Sequence, residues 1–100
     1  MLSDLDWRVR WSEPAWRQLE ATADYIAIDS PRYAAVLVAE ARTAARSLRQ
    51  LPNRGRIVPE ENDEFIREIF VQSYRLVYRV LDREIQIIAF IHFARDMKHL

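Results

Sequence analysis

Four cationic or titratable side chains lie in the second half of the sequence, at spacings that could bring them onto one surface. Arg67, Arg75 and His92 each fall within a segment whose apolar residues alternate, and Arg95 follows the last of these segments. A guanidinium makes planar, bidentate contacts with phosphate or carboxylate, and an imidazole titrates near neutral pH. If the faces of the three segments coincide, the sequence predicts an anion-binding cluster with the components for phosphodiester chemistry.

Structural roles for the same residues stand beside this hypothesis. Arg67 and Arg75 could pair with Glu68 or Glu84 on a solvated sheet face, where such pairs are common. His92 could be a hydrogen-bonded structural histidine at the end of its strand. The sequence leaves both interpretations open, because it does not fix the registers of the strands.

Other groups suited to acid–base chemistry are weaker candidates. Tyr74 and Tyr78 are expected in the core or in an interface, since a phenol with a pKa near ~10 needs strong tuning to act as a base. The acidic run at residues 60–64 could supply a carboxylate, but such runs are usually solvated loops. The chain has no Cys and only two His, and it contains no zinc signature or phosphate-binding glycine loop. We therefore expect neither a metal nor a cofactor.

Length and composition predict a single domain. The chain has 100 residues, of which 50% are hydrophobic and 30% charged, enough for one compact core. Its 15 basic residues balance 15 acidic ones, which argues against a nonspecific nucleic-acid binder. No apolar run approaches the ~18 residues of a membrane helix, and the first ten residues are charged where a signal peptide would be apolar. A cytoplasmic protein with no membrane partner is expected.

The elements that must position the candidate residues begin with a strand and two helices. Residues 7–11 alternate large apolar with charged side chains, which predicts a strand. Ser12 and Ser30 are good N-caps, and each is followed by a proline suited to the first helical turn. Apolar residues at three- and four-residue spacing follow each cap. The sequence therefore predicts a helical hairpin that ends before the Leu51–Arg56 segment.

The remainder predicts an exposed loop over residues 57–64 and then three strands. Residues 65–71, 74–81 and 84–93 are rich in β-branched and aromatic side chains and are separated by two-residue breaks. The element order is β-α-α-β-β-β. The predicted fold is an α+β two-layer sandwich, with the helical hairpin packed on an antiparallel-rich four-stranded sheet.

Six short motifs, in this order and over residues 7–96, resemble the RelE/ParE toxin family. They are WSEPA at 11–15, ADYIA at 23–27, LPNRGR at 51–56, IRE at 66–68, YRLVYR at 74–79 and HFARD at 92–96. The resemblance implies the β-α-α-β-β-β fold already predicted from periodicity. It also implies a bacterial type II toxin, whose neighbouring gene encodes an antitoxin that binds it and represses the shared operon.

The family divides by target, and the resemblance favours the ParE-like members, which poison DNA gyrase. RelE-like members are ribosome-dependent mRNA endoribonucleases, and Arg75 and Arg95 match arginines that they use. However, Phe70 stands about where those enzymes have another basic residue, and Lys98 is the only lysine. The ending HFARD is similar to the His-x-x-Arg tail of ParE-like chains.

The resemblance thus implies a set of residues that bind the target, namely Arg75, His92, Arg95 and Asp96. The alternative is a ribosome-dependent endoribonuclease acting on mRNA, for which the catalytic candidates are Arg67, Arg75, His92 and Arg95. A third possibility is an inactive homologue that only binds its antitoxin.

Antitoxin binding is predicted at exposed aromatic side chains near the helix–sheet seam or the sheet edge. The candidates are Trp7, Trp16, Tyr25 and Tyr33. Arginines of the toxin would pair with acidic residues of the antitoxin, and contact with operator DNA would be made only through the antitoxin.

Overall fold

A computed structural model describes residues 7–95 and contains seven helices and strands in that range. In chain order they are β1 (Arg8–Trp11), α1 (Glu13–Ala27), α2 (Pro31–Ser47), β2 (Arg56–Ile57), β3 (Ile66–Val71), β4 (Tyr74–Leu81) and β5 (Glu84–His92). Within residues 7–95, no helix is both long and apolar enough to cross a bilayer.

The helical hairpin forms where the capping signals predict it. The Ser12 hydroxyl accepts a hydrogen bond from the Ala15 N–H at 3.2 Å, and the Ser30 hydroxyl accepts one from the Tyr33 N–H at 3.1 Å. Each cap satisfies an amide that has no partner inside its helix. The two helices therefore begin at fixed points on either side of a short turn.

The five strands form one sheet in the order β1-β5-β4-β3-β2. β1 runs parallel to β5, and the other neighbours are antiparallel. Both helices cover one face, where Leu19 and Leu37 pack against Leu76, Ile87 and other strand residues. The predicted α+β two-layer fold is confirmed.

The loop predicted over residues 57–64 is only partly exposed, and the sheet has a fifth strand that the sequence did not predict. Arg56 and Ile57 pair with Glu68 and Arg67 of β3. Val58 is fully buried, and its N–H donates to the Ile66 carbonyl at 3.0 Å. The segment follows the outer edge of β3 because that edge offers unpaired backbone groups.

A β-bulge in β5 decides which sheet face its residues occupy. Val77 lies opposite Ala89, and Tyr78 lies opposite Ile87, so Ile88 has no opposite residue on β4. An extra residue shifts the alternation of side chains beyond it.

Simple alternation predicts that Gln86 and His92 share a face, and this prediction is wrong because of the bulge. Gln86 lies opposite Arg79, on the face away from the helices. His92 lies opposite Tyr74, which packs against the core on the helix-covered face.

Candidate functional site

The strand registers do not bring Arg67, Arg75 and His92 together. Arg67 on β3 lies opposite Tyr78, and His92 on β5 lies opposite Tyr74, so the two residues flank β4 from its two neighbouring strands. The two tyrosines are four positions apart along β4. At the rise of a strand, that offset alone is about 13 Å. Arg75 follows Tyr74 directly on β4, so its side chain lies on the opposite face of the sheet from both tyrosines. The predicted three-residue cluster is therefore wrong.

Arg75 lies in the middle of the sheet and is held on all sides. Its side chain is 6% exposed. Nε donates to Glu68 Oε1 at 2.5 Å, Nη1 donates to the Arg95 carbonyl at 2.6 Å, and Nη2 lies 2.8 Å from Glu60 Oε2. The contact with Glu60 is an ion pair without the alignment of a hydrogen bond. Arg75 thus joins β3, the 58–64 loop and the segment after β5.

Glu68 is the centre of negative charge in this arrangement. It is 1% exposed, and its second oxygen, Oε2, accepts from Arg56 Nε at 2.6 Å. We call Arg56, Glu60, Glu68 and Arg75 the Arg75 network. Burial by itself would lower the pKa of Arg75, but its close contacts with Glu68 and Glu60 and the negative charges of both carboxylates raise it above its ordinary value. The guanidinium therefore remains charged and paired.

Of the two pairings left open by the sequence, Glu68 is the partner of Arg75, whereas Glu84 pairs with Arg10 at 2.6 Å. Glu60 was not predicted as part of the site, because the loop run gave no reason to single it out. On one face of β3, Glu68 lies between two apolar residues, Ile66 and Phe70. An acidic side chain in such a position was the one signal for a buried ion pair.

Arg67 holds the loop that follows α2. Its Nη1 donates to the Gly55 carbonyl at 2.8 Å, and the side chain is partly buried. In the same place the Tyr78 hydroxyl accepts from the Gly55 N–H at 2.9 Å and donates to the Pro52 carbonyl at 2.8 Å. Arg67 and Tyr78 together fix the loop against the sheet.

Tyr78 is not suited to act as a base. It is fully buried, and burial raises the pKa of its hydroxyl, although the Gly55 hydrogen bond and the charges of Arg67 and Arg54 act in the opposite direction. The phenol stays protonated at neutral pH.

We expect Tyr78→Phe to lower the free energy of unfolding by about 1–2 kcal/mol, because the buried Gly55 amide and the partly buried Pro52 carbonyl lose their partner. The raised pKa makes the folded protein keep the phenol proton at a pH where the unfolded chain releases it. Wild-type stability should therefore fall as pH rises above about 10, and the variant should lack this part of the loss. Urea unfolding across that pH range measures both effects. The exposed Tyr25→Phe is the control, and an equal loss in the two variants would contradict the assignment.

His92 and Arg95 remain accessible at the end of β5. The His92 ring lies beside the Phe93 ring at a tilt of 38°, with ring centroids 4.6 Å apart, and its Nδ1 accepts from the Ala94 N–H at 3.3 Å. The Arg95 side chain is exposed, while its backbone is held by Arg75. Asp96, the fourth predicted target-binding residue, lies outside the described residues.

A shallow depression of about 400 Å³ lies beside this segment. Its lining residues are Pro59, Glu60, Arg75, Phe93, Ala94 and Arg95. Of the predicted site residues, the structure thus brings together Arg75 and Arg95, and the link between them is the backbone carbonyl of Arg95.

Residues 9–97 match the family model described as ParE toxin of the type II toxin-antitoxin system parDE. The chain belongs to the ParE/RelE toxin family. It is a toxin of a type II toxin–antitoxin system. It is 34% identical over 88 residues to Toxin RelE2 of Caulobacter vibrioides, a match that covers 88% of this chain and 97% of the relative.

Two solved toxin–antitoxin systems share the fold of this ParE/RelE-family toxin. A chain of the chromosomal ParDE system of P. aeruginosa superposes with a TM-score of 0.71 at 24% identity, covering 86% of this toxin and 95% of that chain. A chain of the RelBE2 toxin–antitoxin complex of Mycobacterium tuberculosis gives 0.62 at 26% identity, covering 91% and 95%.

On this toxin, the four aromatic residues predicted to bind antitoxin fall into two groups. Trp16 lies near the start of α1, partly buried in edge-to-face contact with Trp11, and Trp7 packs against the same core. Tyr25 and Tyr33 are 77% and 69% exposed, on either side of the turn between the helices. Trp16 and Tyr25 are about 13 Å apart along the axis of α1. Their role in antitoxin binding stays a prediction.

Proposed function

We propose that this toxin arrests growth in the cytoplasm by binding DNA gyrase, and that a cognate antitoxin neutralises it. The observation that carries the proposal is the Arg75 network. In a ribonuclease the corresponding arginine must face the scissile phosphate. Here the Arg75 side chain is only 6% exposed and is occupied by Glu68, Glu60 and the Arg95 carbonyl.

The remaining requirements of RNA cleavage are also poorly met. In-line attack by a 2′-hydroxyl needs a proton acceptor, a proton donor and a cation near the developing negative charge. Tyr78 is buried and protonated, and Arg67 is committed to the Gly55 carbonyl. His92 lies on the helix-covered side of the sheet, away from Arg75. A toxin that binds a protein fits this arrangement better.

The exposed surface offered to gyrase is the end of β5 and the segment after it. His92, Phe93 and Arg95 are accessible there, and Phe93 is 57% exposed. An aromatic ring beside an arginine is a composition typical of residues that dominate protein–protein binding energy. In this proposal Arg75 positions the segment through its hydrogen bond to the Arg95 carbonyl, and Asp96 stays a predicted target-binding residue.

Pulse labelling of DNA and protein synthesis, within minutes of inducing the toxin without antitoxin, tests the target. We expect DNA synthesis to fail first, and purified toxin to inhibit gyrase supercoiling. Early collapse of protein synthesis would instead indicate mRNA cleavage on the ribosome. Normal growth on induction would indicate an inactive homologue and would contradict the proposal.

His92→Ala and Arg95→Ala should each weaken gyrase binding roughly tenfold, as expected for side chains at the centre of an interface. Because both side chains are exposed, the thermal unfolding midpoints of the two variants should match that of the wild type. Gyrase supercoiling assays across a toxin titration measure the effect, and Arg17→Ala on α1 is the control. If both variants inhibit gyrase supercoiling as strongly as the wild type, this segment is not part of the target-binding surface.

A further inference from the structure

The depression beside the end of β5 is lined on one side by the 58–64 loop, which brings Glu60 to it. The Glu60 side chain is 20% exposed, whereas that of Glu68 is fully buried. Of these two carboxylates that contact Arg75, Glu60 is therefore the one on the solvent side. Among the lining residues within 7–95, Glu60 carries the one negative charge, and Arg75 and Arg95 carry the positive charges.

The backbone of the 58–64 loop holds Glu60 in this place. Val58 is fully buried, and its carbonyl accepts a hydrogen bond from the Glu61 N–H at 3.2 Å, which joins the residues on either side of Pro59 and Glu60. The proline ring also restricts the backbone directly before Glu60. The buried Nη2 of Arg75 has no aligned hydrogen-bond partner within residues 7–95. The fold of the loop and the attraction of opposite charges thus keep this carboxylate near the guanidinium.

The charges of the Arg75 network cancel only when Glu60 is counted. Arg56 and Arg75 contribute two positive charges, and Glu68 and Glu60 contribute two negative ones. Without Glu60, the network would keep a net positive charge next to Arg95, and Nη2 of Arg75 would lack its counter-charge at the depression. Guanidinium groups in such a state are well suited to bind a phosphate.

We propose that Glu60 excludes nucleic-acid phosphates from this depression and so restricts the toxin to a protein target. A phosphate that contacts Arg75 or Arg95 would lie beside the Glu60 carboxylate, and like charges placed side by side strongly disfavour binding. Repulsion of the wrong ligand is a common source of specificity. This role rests on the protein target proposed above, and it names the residue that selects that class of target.

Binding of a fluorescein-labelled single-stranded oligo-rU to the purified toxin tests the exclusion. Glu60→Gln keeps the length of the side chain and removes its charge, so it should bind the oligonucleotide about tenfold more tightly than the wild type at ~50 mM salt. The difference should shrink to about twofold at ~500 mM salt, where the charges are screened. Fluorescence anisotropy gives the affinities.

Two further variants separate the charge of Glu60 from its contact with Arg75. Glu64→Gln removes the same charge from an exposed position of the same loop, and it should leave the affinity for the oligonucleotide unchanged. Glu60→Asp keeps the charge but is one methylene shorter, which lengthens the contact with Arg75, and it should reject the oligonucleotide as the wild type does. Thermal unfolding verifies that each variant is folded. Glu60→Ala carries the same expectation as Glu60→Gln, so the test does not depend on one amide being tolerated.

The outcomes separate this role from the proposed function. If Glu60→Gln binds the oligonucleotide no more tightly than Glu64→Gln, Glu60 does not exclude phosphates, although gyrase inhibition by the wild type stands. If Glu60→Asp gains as much affinity as Glu60→Gln, the gain comes from the lost contact with Arg75, and exclusion by charge is overturned. If the wild type cuts mRNA on the ribosome and Glu60→Gln abolishes the cutting, Glu60 is a proton acceptor, and both the exclusion and the gyrase proposal fall.

Discussion

Gly55→Ala is expected to lower the free energy of unfolding by about 3 kcal/mol, although it adds a single methyl group. A Cβ at Gly55 would lie 2.6 Å from the Glu68 carbonyl oxygen and 2.7 Å from the Tyr78 hydroxyl. The first of these atoms belongs to the backbone of β3, a strand that is paired on both sides, and cannot rotate away. The loop would have to retreat, which breaks the bonds from Gly55 to Tyr78 and from Arg67 to Gly55.

The need for glycine here is the close approach of two backbone segments, because Gly55 does not have a positive φ. Thermal unfolding measures the effect, and a loss of about 3 kcal/mol lowers the midpoint of a domain of this size by roughly 15 °C. Asn53→Ala, at an exposed position of the same loop, should change stability by less than about 0.5 kcal/mol. A stable Gly55→Ala protein would mean that the loop does not approach β3 so closely.

Glu68→Gln is expected to cost about 3–5 kcal/mol, because it leaves the buried Arg75 guanidinium without its main counter-charge. The two side chains have nearly the same volume, so the change isolates charge from packing. A carboxylate accepts from both Arg75 and Arg56, whereas an amide has only one oxygen and presents donors to the other guanidinium. Denaturant unfolding at neutral pH gives the free energy.

Two further variants distinguish this cost from a general sensitivity of the sheet. Glu84→Gln breaks an ion pair with Arg10, whose side chain is 59% exposed, and should cost under about 1 kcal/mol. The double variant Glu68→Leu/Arg75→Met removes both buried charges and should recover most of the stability, as apolar replacements of buried ion pairs often do. If it is as unstable as Glu68→Gln, the unpaired charge is not the source of the loss.

The helical half of the fold was predictable because its signals are local. Ser12 and Ser30 each accept the hydrogen bond that a cap residue should accept, and a cap depends only on the next three residues. The two-residue breaks also predict the turns between β3, β4 and β5 correctly. In these turns Gln72 and Arg83 adopt positive φ angles of 54° and 60°, although neither is glycine. Such angles carry a cost that pairing of the long flanking strands offsets.

The candidate site was harder to predict because its geometry depends on a single irregularity. Ile88 is chemically like its neighbours, and nothing in its type marks a bulge. Yet the bulge sets the face of His92, and so separates it from Arg75. The partners of Arg75 come from three separate segments, and two of these contacts, to Glu60 and to the Arg95 carbonyl, follow from tertiary packing that no local pattern encodes.

The parallel pairing of β1 with β5 also governs when the fold can be completed. Arg8 lies opposite Glu84, so β1 cannot pair until a strand that is synthesised much later becomes available. Closing so long a loop is entropically costly and slows folding. α1 depends on the same late strand, because Gln18 accepts a hydrogen bond from the Phe90 amide at 2.8 Å. An incomplete nascent chain therefore lacks the finished sheet, and the toxin acquires its native surface only after β5 has left the ribosome that makes it.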